Sequence, residues 1–133
     1  MMRFIPPSVL GVIVAASMIT TVHAAAHTKE SLAVIKKNID EGTAVLVDVR
    51  ERSEWDDGHI ADACFLPLST LQDGVTKEKL KVLPRDKVLY IHCAVGKRAL
   101  VAANILERQG YSVKPIKPGY KEMIAAGYAK AKD

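Results

Sequence analysis

"VLYIHCAVGKRALVAANILERQG", residues 88–110, is the stretch that decides the fold. Its opening is a short, largely apolar run, which predicts a buried strand over Val88–His92. From Lys97 onward the apolar residues recur at helical spacing, and Gly110 suits the C-terminal cap of that helix. Between the two lies Cys93. The stretch therefore predicts a strand, a tight turn that begins at a cysteine, and an amphipathic helix.

The rest of the chain repeats this alternation of strand and helix. Short apolar runs predict further strands at Ala44–Val49, within "ACFLPL" (63–68) and within "YSVKPI" (111–116). Helical stretches lie between them, the first over Thr28–Gly42 with Thr28 as its N-cap, and a short one capped by Ser53. Strands and helices at this spacing predict the α/β class, with a central parallel sheet and helices on both faces.

The first 26 residues, "MMRFIPPSVLGVIVAASMITTVHAAA", have the pattern of a secretory signal peptide. Arg3 gives the positive start, Val9–Ile19 is apolar, and small residues follow, with cleavage expected after Ala24 or Ala26. The apolar stretch is shorter than the ~20 residues that a membrane-spanning helix needs. An uncleaved membrane anchor is the alternative. The pattern predicts an exported protein, with the bacterial periplasm as its compartment.

Removal of residues 1–26 leaves one domain over residues 27–133. The formal charge falls from +4 to +3 because Arg3 is the only formal charge in the removed segment. This small excess, without a basic stripe interleaved with aromatic residues, argues against a nucleic-acid partner, and no membrane contact is expected after cleavage. The sequence does not reveal the oligomeric state, and a monomer is the default.

Cys93 follows the strand at the edge where parallel sheets bind ligands. The next helix begins near Lys97, so its free N–H groups and positive dipole end face the thiol and favour a thiolate. Gly96 lets the backbone curl around one sulfur atom. A buried, inert cysteine is the alternative. We expect Cys93 to be the nucleophile, with a substrate site made by the residues that follow it: Ala94, Val95, Gly96, Lys97 and Arg98.

Several other polar and aromatic residues receive structural roles. Asp48 and Arg50 end the neighbouring strand and are expected to hold loops through ion pairs, with Arg98 as a candidate partner of Asp48. His92 should point to the opposite face of the sheet from Cys93, because successive strand residues alternate. Trp55 is expected in the core. Three histidines and two cysteines remain after cleavage without metal-ligand spacing, so no metal or other cofactor is predicted.

The motifs of residues 46–128 resemble those of the rhodanese family of sulfurtransferases. The matching segments are "DVR" (48–50), "EW" (54–55), "GHI" (58–60), "PL" (67–68), "CAVGKRA" (93–99), "PGY" (118–120) and "AGY" (126–128). One domain behind a signal peptide looks most like the periplasmic single-domain rhodaneses of the phage-shock type. The chain departs from the family pattern at Met123, where a tryptophan is usual, and at Cys64, where an aliphatic residue is usual.

The resemblance implies a double displacement. Cys93 would take the outer sulfur of thiosulfate or another small anionic donor, and the resulting persulfide would pass that sulfur to cyanide or a thiol. Cys64 introduces an open question, because two cysteines in an exported chain form a disulfide whenever their geometry permits. A Cys64–Cys93 bond would silence the site, and a reversible bond would make the two cysteines a resolving pair.

Two rival functions remain open at this stage. Cysteine phosphatases and arsenate reductases also place a cysteine before a glycine-containing anion loop and an arginine. Four residues separate Cys93 from Arg98, one fewer than in those phosphatases, which predicts a nest sized for one sulfur atom. The second rival is a carrier module that holds a persulfide or a soft metal ion and delivers it to another protein.

Overall fold

A computed structural model of the chain describes residues 2–4, 11–18 and 24–132. The predicted signal peptide, residues 1–26, lies partly outside these ranges. Residues 2–4 and 11–18 are exposed and form neither helix nor strand. Among the described residues, no helix combines the length and apolar character that crossing a membrane would require.

The described residues form four strands and six helices that alternate along the chain. The strands are β1 (Ala44–Asp48), β2 (Cys64–Phe65), β3 (Val88–His92) and β4 (Val113–Pro115). The helices are α1 (Leu32–Asp40), α2 (Arg52–Asp57), α3 (Leu68–Gln72), α4 (Lys77–Leu80), α5 (Lys97–Arg108) and α6 (Tyr120–Ala125).

The four strands form one parallel sheet in the order β2-β1-β3-β4. β1 and β3 lie at its centre, with Asp48 aligned with His92 at their carboxyl ends. The turns that follow these two strands therefore meet at one edge of the sheet. The predicted α/β fold with a central parallel sheet is confirmed.

Each face of the sheet carries its own apolar core, because side chains alternate along a strand. Val47 and Ile91 point to one face, where α3, α4 and α5 pack, and Cys93 belongs to the same cluster. Leu46 and Tyr90 point to the other face, where α1 and α6 pack. Helices on both faces are confirmed.

Two predicted helix caps are wrong by a few residues. α1 is capped by Ser31, whose Oγ accepts from the Val34 N–H at 3.2 Å, while the Thr28 hydroxyl donates to Glu30 Oε1 at 3.0 Å. α2 is capped by Glu51 rather than by Ser53, through a capping box in which the Glu51 N–H donates to Glu54 Oε1 at 3.2 Å. In both cases another polar residue nearby in sequence takes the capping role.

Trp55 lies in a different environment from the one predicted. It is half-buried on α2, with its ring stacked 3.6 Å from the His59 ring and 4.6 Å from the Phe65 ring, measured between centroids. His59 Nδ1 also lies 2.9 Å from the Trp55 carbonyl oxygen. This aromatic stack covers the end of the sheet beside β2 and does not belong to either apolar core.

Candidate active site

The turn from β3 to α5, which we call the Cys loop (residues 93–96), is built around one sulfur atom. Cys93 has no exposed surface, and its Sγ accepts a hydrogen bond of 3.0 Å from the Gly96 N–H. Of the amides at residues 94–98 that were expected around the sulfur, the one at Gly96 makes this bond. Ala94 and Val95 form the exposed apex of the loop, and the Val95 side chain is 68% exposed.

Gly96 meets two requirements that exclude other residues. Its φ of +90° lies in the left-handed region, where a Cβ atom is strained. A Cβ at this position would also lie 2.8 Å from His27 Nε2 and 3.1 Å from the Lys117 Cα. The glycine therefore lets the loop close against two other segments while its N–H points at the sulfur.

Gly119 is a further residue of the site. In the sequence it stands out only as part of the "PGY" motif (118–120). A Cβ built at Gly119 would lie 1.9 Å from the Ala94 carbonyl oxygen and 2.9 Å from the Cys93 carbonyl oxygen. Its φ of −100° is ordinary, so the constraint is space rather than backbone strain. The segment before α6 thus packs directly on the Cys loop. A "PG" pair before a predicted helix was the only sequence signal for this contact.

Arg98 is tied to α2 by a two-pronged ion pair. Its Nη1 and Nη2 donate to the two carboxylate oxygens of Glu54 at 2.6 and 2.9 Å. The bond to Arg98 lowers the pKa of Glu54 to about 2 and raises the pKa of Arg98 above its ordinary value. The suggested Asp48–Arg98 pair is wrong, since Glu54 on α2 is near enough to take both guanidinium donors.

Asp48 pairs instead with Arg50, at the end of β1. Arg50 Nε donates to both Asp48 oxygens at 3.0 Å, Nη2 donates to Oδ2 at 2.8 Å, and the Arg50 backbone N–H donates to Oδ1 at 2.9 Å. Arg50 Nη2 also donates to the Gly58 carbonyl at 2.8 Å, and the guanidinium lies 4.7 Å from the centre of the Tyr120 ring. Asp48 and Arg50 are expected to hold loops through ion pairs. Their pair, together with the Arg50 hydrogen bond to Gly58, joins the end of β1 to the segment after α2.

His92 lies on the Asp48 side of the sheet, as the alternation of strand residues predicts. Its Nε2 is 3.5 Å from Asp48 Oδ2, and the side chain has no exposed surface. Burial lowers the pKa of His92 even though the charge of Asp48 acts in the other direction, so the ring is neutral near pH 7. Because His92 points to the opposite face of the sheet from Cys93, and because burial disfavours the protonated form of its ring, it is not placed to accept a proton from the Cys93 thiol.

A cleft of about 310 Å³ opens beside the apex of the Cys loop. Ala94 and Val95 form one wall, and the other lining residues are Arg50, Glu54, Tyr120, Lys121 and Glu122. Arg50 is paired with Asp48, and Glu54 is paired with Arg98. Lys121 is exposed and has no ion-pair partner within the described part of the chain, so it is the lining cation whose charge is not shared, and Glu122 is an acidic group in the same lining.

Cys64 and Cys93 are both free thiols. Cys64 on β2 is aligned with Val47 on β1, and Val47 is aligned with Ile91 on β3, two residues before Cys93. Two strand spacings separate the cysteine backbones by roughly 9.5 Å or more, whereas a disulfide joins Cα atoms about 4.4–6.8 Å apart. Burial raises the pKa of the Cys64 thiol, which further disfavours attack by this sulfur.

The described ranges contain no group of three or more histidine, cysteine, aspartate or glutamate side chains that could hold a metal ion. The hydrogen bond to the sulfur comes from a backbone N–H, that of Gly96. A main-chain donor of this kind suits an anion.

A family model described as the rhodanese-like domain matches residues 31–126 of the chain. The chain belongs to the rhodanese-like family. The match includes all four strands, the Cys loop and Gly119, so the geometry above is that of a rhodanese-like domain. Membership in this family confirms the resemblance drawn from the sequence motifs.

Relatives of this rhodanese-like chain include sulfur-handling proteins. It is 35% identical over 75 residues to the probable adenylyltransferase/sulfurtransferase MoeZ of Mycobacterium tuberculosis, which covers 56% of this chain and 18% of MoeZ. It is 29% identical over 94 residues to the putative sulfur carrier protein YrkF of Bacillus subtilis, which covers 69% of this chain and 48% of YrkF. The chain thus spans less than two thirds of either relative.

A solved structure of similar size is the human single-domain sulfurtransferase TSTD1. It has a TM-score of 0.62 and 26% sequence identity, and the superposition covers 77% of this chain and 96% of TSTD1. The rhodanese fold of this chain therefore occurs in a sulfurtransferase that has little beyond the one domain.

Proposed function

We propose that this protein is a sulfurtransferase that carries a sulfane sulfur on Cys93 and takes it from thiosulfate or another small anionic donor. The observation that carries the proposal is the hydrogen bond of 3.0 Å from the Gly96 amide to Cys93 Sγ, at the carboxyl end of a central strand. A main-chain donor aimed at one sulfur atom stabilises a sulfur anion without supplying a proton to it. Family membership supports sulfur chemistry at this position.

In the first half-reaction the Cys93 thiolate attacks the outer sulfur of thiosulfate. The new bond joins Sγ to that sulfur, the sulfur–sulfur bond of thiosulfate breaks, and sulfite leaves with its electron pair. The three negative charges of the reactants reappear as one on the persulfide and two on sulfite. Lys121, which lines the cleft, and Lys97, which directly follows the Cys loop, would attract the dianionic donor.

In the second half-reaction a nucleophilic acceptor attacks the outer sulfur of the persulfide. Cyanide is converted to thiocyanate, and a thiolate is converted to a persulfide. In both cases the leaving group is Cys93, which returns to its thiolate form. The outer sulfur stands about 2 Å from Sγ. Ala94 and Val95, the two residues after Cys93, border the cleft through which a donor and an acceptor would approach.

The test is the intact mass of the protein before and after incubation with thiosulfate. We expect a gain of about 32 Da, the mass of one sulfur atom, that maps to Cys93 and disappears on addition of cyanide as thiocyanate forms. Cys93→Ser should abolish both the gain and the turnover, whereas Cys64→Ser, the matched control, should retain both. A gain that persists in Cys93→Ser contradicts the proposal. So does hydrolysis of p-nitrophenyl phosphate that Cys93→Ser abolishes, because it would favour the phosphatase class.

A carrier role is the second candidate, favoured by the likeness to the putative sulfur carrier YrkF. A carrier would hold the sulfur on Cys93 and deliver it to a protein, with little turnover on free cyanide. A stable gain of about 32 Da with negligible thiocyanate formation would select the carrier over the freely turning enzyme.

We extend the proposal to location. Residues 1–26 direct export to the periplasm, and the functional form begins at Ala25 or His27. Fractionation of the source cells, followed by intact mass, tests this directly. Cleavage of the 133-residue chain after Ala24 or Ala26 would leave a periplasmic form of 109 or 107 residues. A full-length protein retained with the cytoplasm would contradict it.

A further inference from the structure

The segment before α1 contacts three parts of the domain in succession. We call residues 24–31 the N-terminal arm. Ala25 N–H donates to Asn104 Oδ1 on α5 at 2.7 Å, and Thr28 N–H donates to the Pro115 carbonyl on β4 at 2.8 Å. Between these two points of attachment the arm passes the Cys loop, where the half-buried His27 meets Gly96.

His27 is hydrogen-bonded to the residue that holds the sulfur. Its Nε2 lies 2.9 Å from the Gly96 carbonyl oxygen, and because a carbonyl only accepts, Nε2 carries the proton. The same nitrogen would lie 2.8 Å from a Cβ on Gly96, so the imidazole fills the space that the missing side chain leaves. The Gly96 N–H, in turn, donates to Cys93 Sγ.

We infer that His27 is a positioning residue for the reactive sulfur: it fixes the Gly96 carbonyl and thereby the orientation of the Gly96 amide on Cys93. Gly96 has a left-handed φ and no side chain of its own to hold it. The Lys117 backbone and the His27 ring both lie next to the position that a side chain would occupy. The His27 hydrogen bond is the contact through which the arm acts on the loop.

The inference also gives the arm a function. Both expected cleavage positions, after Ala24 and after Ala26, leave His27 in the mature protein. The effect on sulfur transfer rests on the proposed function of Cys93, whereas the effect on Gly96 does not, and the experiment measures the two separately.

The experiment compares His27→Ala, His27→Phe and His27→Gln with the native chain. Phenylalanine fills the space without a donor, while the glutamine amide can donate to the same carbonyl. The first measurement is amide hydrogen exchange at Gly96, resolved by NMR. The second is the rate at which excess thiosulfate adds about 32 Da to Cys93. Asn104→Ala is the matched control in protein that retains Ala25, since it removes the Ala25–Asn104 hydrogen bond of the arm, which does not reach the loop.

We expect His27→Ala and His27→Phe to speed Gly96 exchange and to slow sulfur loading, each by ~3- to 10-fold, the effect of losing one hydrogen bond. His27→Gln should restore both rates to within about twofold of native, and Asn104→Ala should leave both within the same limit. Unchanged Gly96 exchange in His27→Ala, or an equal effect of Asn104→Ala, overturns the inference. If the native protein never gains sulfur but the exchange results hold, the proposed function fails and the positioning role stands.

Discussion

The turns after β1 and β3 lie side by side at one edge of the sheet but satisfy their polar groups in different ways. After β1, Asp48 and Arg50 form four hydrogen bonds with each other, and both side chains are almost fully buried. After β3, Cys93 Sγ receives one hydrogen bond from Gly96, and the loop apex is exposed at the cleft. The first turn has charges that neutralise each other, and the second has a sulfur atom that accepts a hydrogen bond from the backbone.

The turns after β1 and β3 occupy equivalent positions in the sheet, and their contacts suit different roles, the first in stability and the second in chemistry. A buried ion pair with all its hydrogen bonds made resists movement, because each broken bond exposes a charge to a medium that cannot solvate it. A sulfur atom held mainly by an amide keeps its lone pairs available for reaction. The comparison predicts that substitutions after β1 act mainly on stability, and that substitutions around the Cys loop act mainly on sulfur transfer.

Asp48→Asn should have the largest effect on stability. It leaves the Arg50 guanidinium buried without its counter-charge, and we expect the free energy of unfolding to fall by about 3 kcal/mol. Denaturant unfolding measures this loss. Asp40→Asn is the control, because its partner Lys36 is 41% exposed and Asp40 is 61% exposed, and it should cost less than about 0.5 kcal/mol. A loss in Asp48→Asn no greater than in the control would refute the structural role.

Gly119→Ala should affect sulfur transfer more than stability. The added methyl group would overlap the Ala94 carbonyl, so the Cys loop must shift, and a displacement near 1 Å can slow a reaction about 100-fold. The rate of thiocyanate formation measures the effect. Gly42→Ala is the control. Its φ of +81° makes the substitution strain the backbone, but the added methyl group meets no atom within 4 Å and so does not touch the Cys loop. Equal rates in the two variants would contradict this account.

The sequence was sufficient for the parts of the fold and the site that depend on neighbouring residues. The buried strand over Val88–His92, the tight turn at Gly96 and the helix from Lys97 follow from short-range patterns, and the structure has all three. The position of Cys93 just after the carboxyl end of a strand follows from the apolar run over Val88–His92 together with the α/β class, whereas the central place of that strand does not.

Contacts between distant segments could not be predicted. The partner of Arg98 is Glu54, 44 residues earlier in the chain, and His27 reaches Gly96 across 69 residues. Gly119 carries no unusual φ, so its close approach to Ala94 appears only when α6 is in place. Hydrogen bonds of this kind depend on three-dimensional packing, whereas periodicity and capping patterns report on local structure.

The Glu54–Arg98 pair joins α2 to the first turn of α5 and should make part of the stability depend on pH. The pKa of Glu54 is lowered from 4.5 to about 2, so its contribution is complete above about pH 4.5 and is lost as the pH falls towards 2. Both side chains are about one third exposed, and solvent screening limits the contribution to about 1 kcal/mol.

Measuring unfolding from pH 6 to pH 2 in the native protein and in Glu54→Gln tests this assignment. The variant should be less stable than the native protein by about 1 kcal/mol at pH 6, and the difference should shrink towards pH 2. Glu78→Gln is the control, since its ion pair with Lys81 is largely exposed and should contribute little. A difference between native protein and Glu54→Gln that is constant over this range would exclude titration of Glu54 as its cause.

The smallest expected effect concerns the lysines at the mouth of the cleft. Lys121 is exposed, lines the cleft and has no ion-pair partner in the described part of the chain, so its charge is available to an anionic donor. Lys121→Gln should raise KM for thiosulfate about two- to threefold at low salt, as expected for one exposed charge, with kcat nearly unchanged. The difference should fade as added salt shortens the screening length. Lys77→Gln, on α4 and outside the cleft, should not change KM. A change in kcat that salt does not alter would place Lys121 among the groups that act on the reacting sulfur and not among those that attract the donor.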